Sequence, residues 1–464
     1  MNHTTTIRTE LLNFMKHNNL NINQLSKVTG LNAGSISTMV NGNRALSVEQ
    51  LDRITTAMGY SKGYFYEQYI EEYLAQIALN WRRIKPFLYR CAELDKQECI
   101  RQVIGLLLDK LMYSSCLFDL AEEFFKDGKY AIAAILYEGV ALSEKSQHSE
   151  RLALCQYRLF MARQGDNQEQ NYQAAIEFQP FIDRLDEIDQ LEALKDLANT
   201  YRSLRRWDKV EIVAQKLEYK AKIQYFSKCK PIRKNKNKQK KLSKPLYVYV
   251  AYSYLLRGSV CEEWGEYKQA LQHIHAYTDL SWVKETDEES ERWKGLFKEW
   301  AQVNTYVTKL FSGDASVLPD YVAYIEVNKE EILLSLLNII EAANRFNFNV
   351  DDILCKFNDE VKSLTELKKG VYTQQTTSER FSRLLNELAE YYLLKEMYQK
   401  GFEFLITGLK KSSIINNKSC IIKCVGLFER FRKVASFETT ETYQNLINEV
   451  YENEKKIRAT SFSG

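Results

Sequence analysis

The sequence predicts an all-α protein in which a small N-terminal helical domain precedes a long array of paired helices. Only 18 glycines and 5 prolines occur in 464 residues, too few for the many turns of an all-β chain. Hydrophobic residues make up 45% and charged residues 27%, as in a folded globular protein. Because the helical pattern changes character near residue 67, we place one domain at residues 1–66 and a second at residues 67–464.

The spacing of apolar residues predicts five short helices in residues 1–66. Gly30 separates the second helix from the third, and Asn41-Gly42 is typical of a left-handed helix end. Ser47 is followed by Gln50 in the spacing of a capping box, and the fifth helix is expected to begin near Ser61. The side chains expected to form the core are Leu25, Val28, Ile36, Leu51 and Ile54.

This pattern, L-x₂-V-x-G-L-x₄-I-x₂-M-V-N-G-x-R-x-L-x₄-L-x₂-I-x₂-A-M-G beginning at residue 25, resembles the Cro/repressor-type helix-turn-helix. The resemblance implies a five-helix, lambda-repressor-like DNA-binding domain. In such domains the N-terminal residues of the third helix contact base edges in the major groove. The positions that correspond here are Asn32, Ala33, Gly34, Ser35, Ser37 and Thr38. The positions expected to anchor the DNA backbone are Asn23, Asn41, Asn43 and Arg44.

The expected DNA-reading face carries no Arg or Gln, the side chains that make bidentate contacts to guanine or adenine. The head, residues 1–66, has six basic and three acidic residues, so one copy neutralises few phosphates. We therefore expect a homodimer that places two heads on a pseudo-palindromic operator in double-stranded DNA.

From residue 67 onward, four segments share one spacing. A small residue is followed at +9 by an aromatic residue, at +12 by a mostly small residue and at +16 by a mostly bulky one. The small positions are Ala121, Ala198, Gly258 and Ala389. These segments resemble tetratricopeptide repeats, which implies that a right-handed α-solenoid follows the head. A generic α-solenoid is the alternative.

Residues 228–244 hold nine basic and no acidic residues and include Pro231, with Pro245 directly after them. We expect a basic insertion between two repeats, either a solvated segment or an auxiliary contact to phosphate. The formal net charge of +3 therefore conceals a basic head, a basic insertion and an acidic remainder.

Signatures of catalysis are absent from the sequence. There is no phosphate-binding loop or zinc-protease motif, and only five histidines occur, so we expect no enzyme activity, no cofactor and no metal. We expect the glutamate pairs 122–123, 262–263 and 330–331 on solvated helix faces. The polar N-terminus and the lack of an apolar run of membrane-spanning length predict a cytoplasmic protein that does not enter a membrane.

A Cro-type head joined to tetratricopeptide-like helices is similar to the Rap–Rgg–NprR–PlcR–PrgX (RRNPP) family. The resemblance implies a quorum-sensing transcriptional regulator whose repeats bind a short signalling peptide that changes dimer geometry and operator affinity. Asn side chains facing the repeats' interior would satisfy peptide amides, and cations would hold a carboxylate. The candidate peptide-binding residues are Lys195, Asn199, Arg202, Asn304, Asn344 and Asn386. Alternatives are a regulator whose solenoid binds a protein partner, a phage lysis–lysogeny peptide receptor of the same architecture, and a Rap-like protein that binds a response regulator.

Overall fold

A computed structural model describes residues 6–41, 46–75, 79–108, 110–144, 149–228, 242–358 and 371–461. These residues form 23 α-helices, and no strand occurs among them. The prediction of an all-α chain is confirmed. The chain forms two compact units, Met1–Arg163 and Gln164–Gly464. None of the described helices is long and apolar enough to cross a membrane.

The first unit begins with four short helices and continues with longer ones. Its helices are α1 (Ile7–His17), α2 (Ile22–Thr29), α3 (Ala33–Val40), α4 (Val48–Ala57), α5 (Tyr66–Tyr69), α6 (Trp81–Glu93), α7 (Gln97–Leu107), α8 (Ser114–Lys126), α9 (Tyr130–Ser143) and α10 (Glu150–Ala162). The α5 helix continues as a π-helical turn, Ile70–Leu74.

The core of the head is largely as predicted, with one exception. Leu25, Ile36, Leu51 and Ile54 are fully buried, whereas Val28 is 55% exposed. The inward face of α2 follows the i, i+4 spacing, so Thr29 rather than Val28 is buried with Leu25, and its hydroxyl donates to the Leu25 carbonyl at 2.8 Å. The prediction for Val28 is therefore wrong.

The head is part of a larger core. The fifth helix begins at Tyr66, later than expected, because residues 62–65 form turns. The rings of Tyr66 and Tyr69 lie 5.0 and 5.3 Å from the ring of Phe87 on α6. One continuous hydrophobic core runs from Ile7 to Leu159, so the compact units do not divide at residue 66.

The second unit continues the pattern of paired helices. Its helices are α11 (Gln168–Phe178), α12 (Glu187–Ser203), α13 (Trp207–Lys228), α14 (Leu246–Glu263), α15 (Tyr267–Thr278), α16 (Glu288–Phe311), α17 (Leu318–Val327), α18 (Ile332–Phe346), α19 (Asp351–Lys356), α20 (Val371–Leu394), α21 (Tyr398–Ile414), α22 (Lys418–Phe431) and α23 (Phe437–Ser461).

All four predicted repeat segments are helix pairs, α8–α9, α12–α13, α14–α15 and α20–α21. In each, three residues link the helices, and the middle one has a positive φ. These residues are Gly128 (φ 74°), Arg205 (54°), Gly265 (76°) and Glu396 (60°). The small residue seven positions earlier is buried in every pair, which allows the two helices to approach closely. At Gly401 on α21 a Cβ would lie 2.7 Å from Leu393 Cγ, so the +12 position also needs a small residue.

Helices from the beginning and the end of the second unit contact each other. The backbone amide of Gln168 donates to the Ile415 carbonyl at 3.3 Å, and Glu169 pairs with Lys418 at 3.3 Å. The α12 helix also packs against α20. Early and late helices of this unit therefore lie around a shared interior.

Candidate DNA interface and ligand cavity

Side-chain caps define the α2–α3 pair of the head. The Asn21 side chain accepts from the Gln24 amide, and the Gln24 side chain accepts from the Asn21 amide, both at 2.9 Å. Gly30 ends α2 in the left-handed conformation, with φ 67°. Asn32 then caps α3 by accepting from the Ser35 amide at 2.6 Å. The turn between the two helices therefore follows from local side-chain chemistry.

The third helix has a buried and an open face. Ile36 and Met39 point into the core, whereas Asn32 and Gly34 are exposed. The other predicted base-reading residues, Ala33, Ser35, Ser37 and Thr38, are half-buried at the edge of the open face. The Thr38 hydroxyl donates to the Ser35 carbonyl at 2.8 Å, so its oxygen remains available as an acceptor. Asn32 already uses its side-chain oxygen as the cap, which leaves its amide group as a donor.

Of the predicted backbone anchors, Asn23 is exposed in the first turn of α2, and Asn41 ends α3 in the right-handed conformation. Asn43 and Arg44, together with the left-handed stop expected at Gly42, lie outside the described residues. The sequence reasoning missed Arg8, whose Nε donates to the Val40 carbonyl at the end of α3 over 2.7 Å. No spacing rule connects Arg8 with a helix more than 20 residues later.

A buried ion pair holds the head on α6. Asp52 on α4 is 7% exposed and accepts from Arg90 Nε at 2.6 Å and from the Tyr66 hydroxyl at 3.0 Å. Burial, together with the negative charge of Asp52, raises the pKa of Tyr66. Hydrogen bonds to Asp52 and Glu93 raise the pKa of Arg90. We call Asp52, Tyr66 and Arg90 the head cluster.

The second unit contains a polar cavity of about 380 Å³. Residues of α12, α14, α16, α18 and α20 contribute to its lining. Its charged residues are Arg202, Arg205, Glu262, Glu263, Glu341, Glu379, Arg380 and Arg383. We call these eight residues the cavity cluster. Amide side chains of Asn199, Asn304 and Asn338 lie among them.

The four arginines of this cavity differ in how they are paired among the described residues. Arg205 pairs with Glu263 at 2.7 Å, and Arg383 pairs with Glu341 at 2.6 Å. Within the described part of the chain, the side chains of Arg202 and Arg380 form no ion pair or hydrogen bond. Burial, together with the nearby charge of Arg202, lowers the pKa of Arg380 to about 10. Two half-buried cations that repel each other favour an anion between them.

Burial disfavours the charged form of three carboxyl groups in the cavity. Burial raises the pKa of Glu262 to about 8, and the Thr308 hydroxyl donates to this carboxyl group at 2.8 Å. Burial likewise raises the pKa of Glu341 and of Glu379. The expectation that Glu262 lies on a solvated face is therefore wrong. It is also wrong for Glu122, which pairs with Arg158 at 2.8 Å with 19% of its side chain exposed.

Three of the six predicted peptide-binding residues line this cavity: Asn199, Arg202 and Asn304. Asn199 accepts from the Tyr252 hydroxyl, and Asn304 donates to the Tyr277 hydroxyl at 2.9 Å. Within the described part of the chain, each amide therefore keeps one polar atom without a hydrogen bond.

The remaining three residues do not line the cavity. Asn386 is 1% exposed, donates to the Cys420 carbonyl at 3.0 Å and accepts from Cys424 Sγ at 2.9 Å. The assignment of Asn386 as a peptide ligand is thus corrected, because both of its polar atoms are used in the core. Asn344 donates to Glu387, and Lys195 pairs with Glu192 at 2.6 Å. Residues that sequence reasoning missed include Arg380, Glu262 and Glu379.

Comparison with known families gives one match. Residues 10–61 match the family model described as the Cro/C1-type HTH DNA-binding domain, and the match does not extend to the helix pairs. No curated protein matches the chain. The matched residues include α2, α3 and α4, with the caps and the open face described above. This match supports a DNA-binding regulator of the helix-turn-helix type.

Proposed function

We propose that the protein is a sequence-specific transcriptional regulator whose second unit binds a short signalling peptide, as in quorum sensing. Two heads of a homodimer would bind a pseudo-palindromic operator, and the peptide would change their spacing and hence operator affinity. The observation that supports the peptide site is the polar cavity of the second unit. Among the described residues, its Arg202 and Arg380 form no ion pair, and the side chains of Asn199 and Asn304 each keep one amide atom without a hydrogen bond. Such groups bind a carboxylate and peptide amides.

DNA binding by the open face of α3 is tested with a library of random 20-bp duplexes. The full-length protein should retain a sequence-specific subset, and sedimentation should show two chains on each selected duplex. Ser37→Glu places a negative charge against the groove and should weaken binding at least tenfold, because the charge repels phosphates. Gln102→Glu adds the same charge at an exposed position of α7 and serves as the matched control. Equal affinities of the two variants would contradict this interface.

Peptide binding is tested by incubating the full-length protein with random hexapeptides and identifying retained peptides by mass spectrometry. A retained peptide should change the affinity for the selected duplex and should bind less tightly to Arg202→Gln. Retention of no peptide at all would overturn the peptide proposal while leaving DNA binding intact.

One observation favours the alternative of a protein partner. Four apolar side chains on one face of α13 are 47–67% exposed: Ile212, Tyr219, Ile223 and Phe226. An apolar helical stripe of this kind is typical of helix recognition. If the solenoid binds a protein partner, a charged residue in place of one of these apolar side chains should change operator affinity in cell extract. Substitutions in the cavity should then leave that affinity unchanged.

A further inference from the structure

The cavity of the second unit contains a positive and a negative group whose charges are incompletely paired among the described residues. Arg202 on α12 and Arg380 on α20 form the positive group, since neither forms an ion pair with a described residue. Desolvation and the nearby charge of Arg202 disfavour the charged form of Arg380. Their most favourable occupant is an anion that both guanidinium groups can contact, such as a carboxylate.

The negative group lies on α18 and α20. Among the described residues, the ion pairs of Glu341 and Glu379 are both with Arg383, which lies 2.6 Å from Glu341 but 3.7 Å from Glu379. Glu379 is only 5% exposed, and its Oε1 has no hydrogen-bond partner among the residues that the structure describes. A buried carboxylate oxygen without a donor is costly, and a donor or cation supplied by a ligand removes that cost.

We propose that the cavity recognises a peptide end that carries both a carboxylate and a cationic side chain. The carboxylate lies between Arg202 and Arg380, and a lysine or arginine of the ligand donates to Glu379. This inference rests on the proposed peptide binding and adds the chemistry of the ligand. A ligand that has only an anion, such as phosphate, would leave Glu379 Oε1 without a donor.

The size of the cavity limits which part of a peptide it holds. A volume of about 380 Å³ is near the lower end of the range for ligand pockets. The cavity therefore accommodates the end of a peptide rather than its full length. Accordingly, the cationic side chain lies within the last few residues before the free carboxyl terminus.

The test uses three hexapeptide libraries with the full-length protein: free carboxyl termini, amidated termini, and free termini with citrulline replacing lysine and arginine. Peptides retained from the first library should be rich in lysine or arginine near the carboxyl end. Amidation, or citrulline in place of the cation, should each weaken the best peptide about tenfold or more in calorimetry, because each removes a charge-assisted hydrogen bond. Retention of inorganic phosphate in competition with the peptide, without preference for a cation, would contradict the inference.

Variants assign each preference to its residue. Arg380→Gln should bind the free acid and the amide with similar affinity, whereas Glu379→Gln should bind arginine and citrulline peptides with similar affinity. Glu326→Gln, which removes an exposed carboxylate paired with Lys356, should keep both preferences. Retained peptides without either charge preference would overturn this inference and leave the proposed function standing. If the protein retains no peptide at all, the proposed function itself is overturned, so the two failures are distinguishable. The comparison of libraries uses the unmodified protein and therefore does not depend on whether a variant folds.

Discussion

Partly buried arginine and carboxylate side chains occur both in the head cluster of the first unit and in the cavity cluster of the second unit. The two clusters differ in how completely these charges are paired. Asp52 accepts from Arg90 at 2.6 Å and from Tyr66 at 3.0 Å, so the buried carboxylate of the head cluster is fully partnered. In the cavity cluster Arg202 and Arg380 have no partner within the described residues, and Glu379 Oε1 has no donor. A polar network in which every charge is paired stabilises the fold. A network with unpaired charges is instead stabilised by a ligand that supplies the missing partners.

The comparison predicts its largest effect at Asp52. Asp52→Asn should lower the free energy of unfolding of the first unit by about 3 kcal/mol, because Arg90 loses its buried charged partner and keeps only the exposed Glu93. Urea denaturation of the full chain, followed by hydrogen exchange of the α4 and α6 amides, measures the loss. Glu49→Gln removes an exposed ion pair with Arg53 and should cost less than about 0.5 kcal/mol. A loss below 1 kcal/mol for Asp52→Asn, set against the roughly 3 kcal/mol expected, would show that the head cluster is not a structural network.

A smaller, pH-dependent effect is expected at Glu262. Its pKa of about 8 in the folded chain lies above the ordinary value of 4.5, so ionisation is disfavoured by folding. The stability that this group contributes is therefore full in acid below its ordinary pKa and falls as the pH rises towards 8. Glu262→Gln should match the parent near pH 5 and exceed it near pH 8.5 by about 1–2 kcal/mol.

Thermal unfolding at both pH values measures this difference, with Glu326→Gln as the control for an exposed carboxylate. Titrating groups far from Glu262 are common to parent and variant and cancel, whereas Glu263 and Glu341 interact with Glu262 and are part of the measured difference. A constant difference between the two proteins across this range would contradict the assignment of a buried, protonated Glu262.

The smallest effect is expected at Arg202. Without ligand, Arg202→Gln should leave the second unit as stable as the parent, or more stable by about 0.5 kcal/mol, because an unpaired cation near Arg380 is removed. Arg90→Gln in the same thermal measurement should destabilise the first unit, since it leaves Asp52 without its cation. Similar losses for both variants would show that Arg202 has a structural partner and would remove the contrast between the two clusters.

The four helix pairs show how much of the fold the sequence pattern predicts. The spacing of small and aromatic residues predicted four helix pairs, and each linker lies directly before the aromatic residue at +9, even where the left-handed residue is Arg205 or Glu396 rather than glycine. The pattern reports which side chains pack between paired helices, and that packing sets the linker position. The classification of these pairs as tetratricopeptide repeats, and the handedness of the array, stay predictions.

The lining of the polar cavity follows only in part from the sequence pattern. Asn199 and Arg202 line it because they lie one and four residues beyond the buried Ala198 on α12. Asn386 was misplaced by the same rule: its helix, α20, packs closely against α21, and Gly408 there leaves only room for the Asn386 side chain. A Cβ at Gly408 would lie 2.6 Å from Asn386 Oδ1.

The sequence by itself determined the all-α fold, the caps and turn of the helix-turn-helix, and the phase of the helix pairs. These depend on side chains within a few residues of each other, whose hydrogen bonds and periodic burial are visible in the linear order. Only the tertiary structure decided that Asp52 is joined to Arg90, that Arg202 lies near Arg380, and that burial raises the pKa of Glu262 to about 8. Charge pairing and desolvation depend on distance in space, and helices far apart in the chain supply the two sides of each contact.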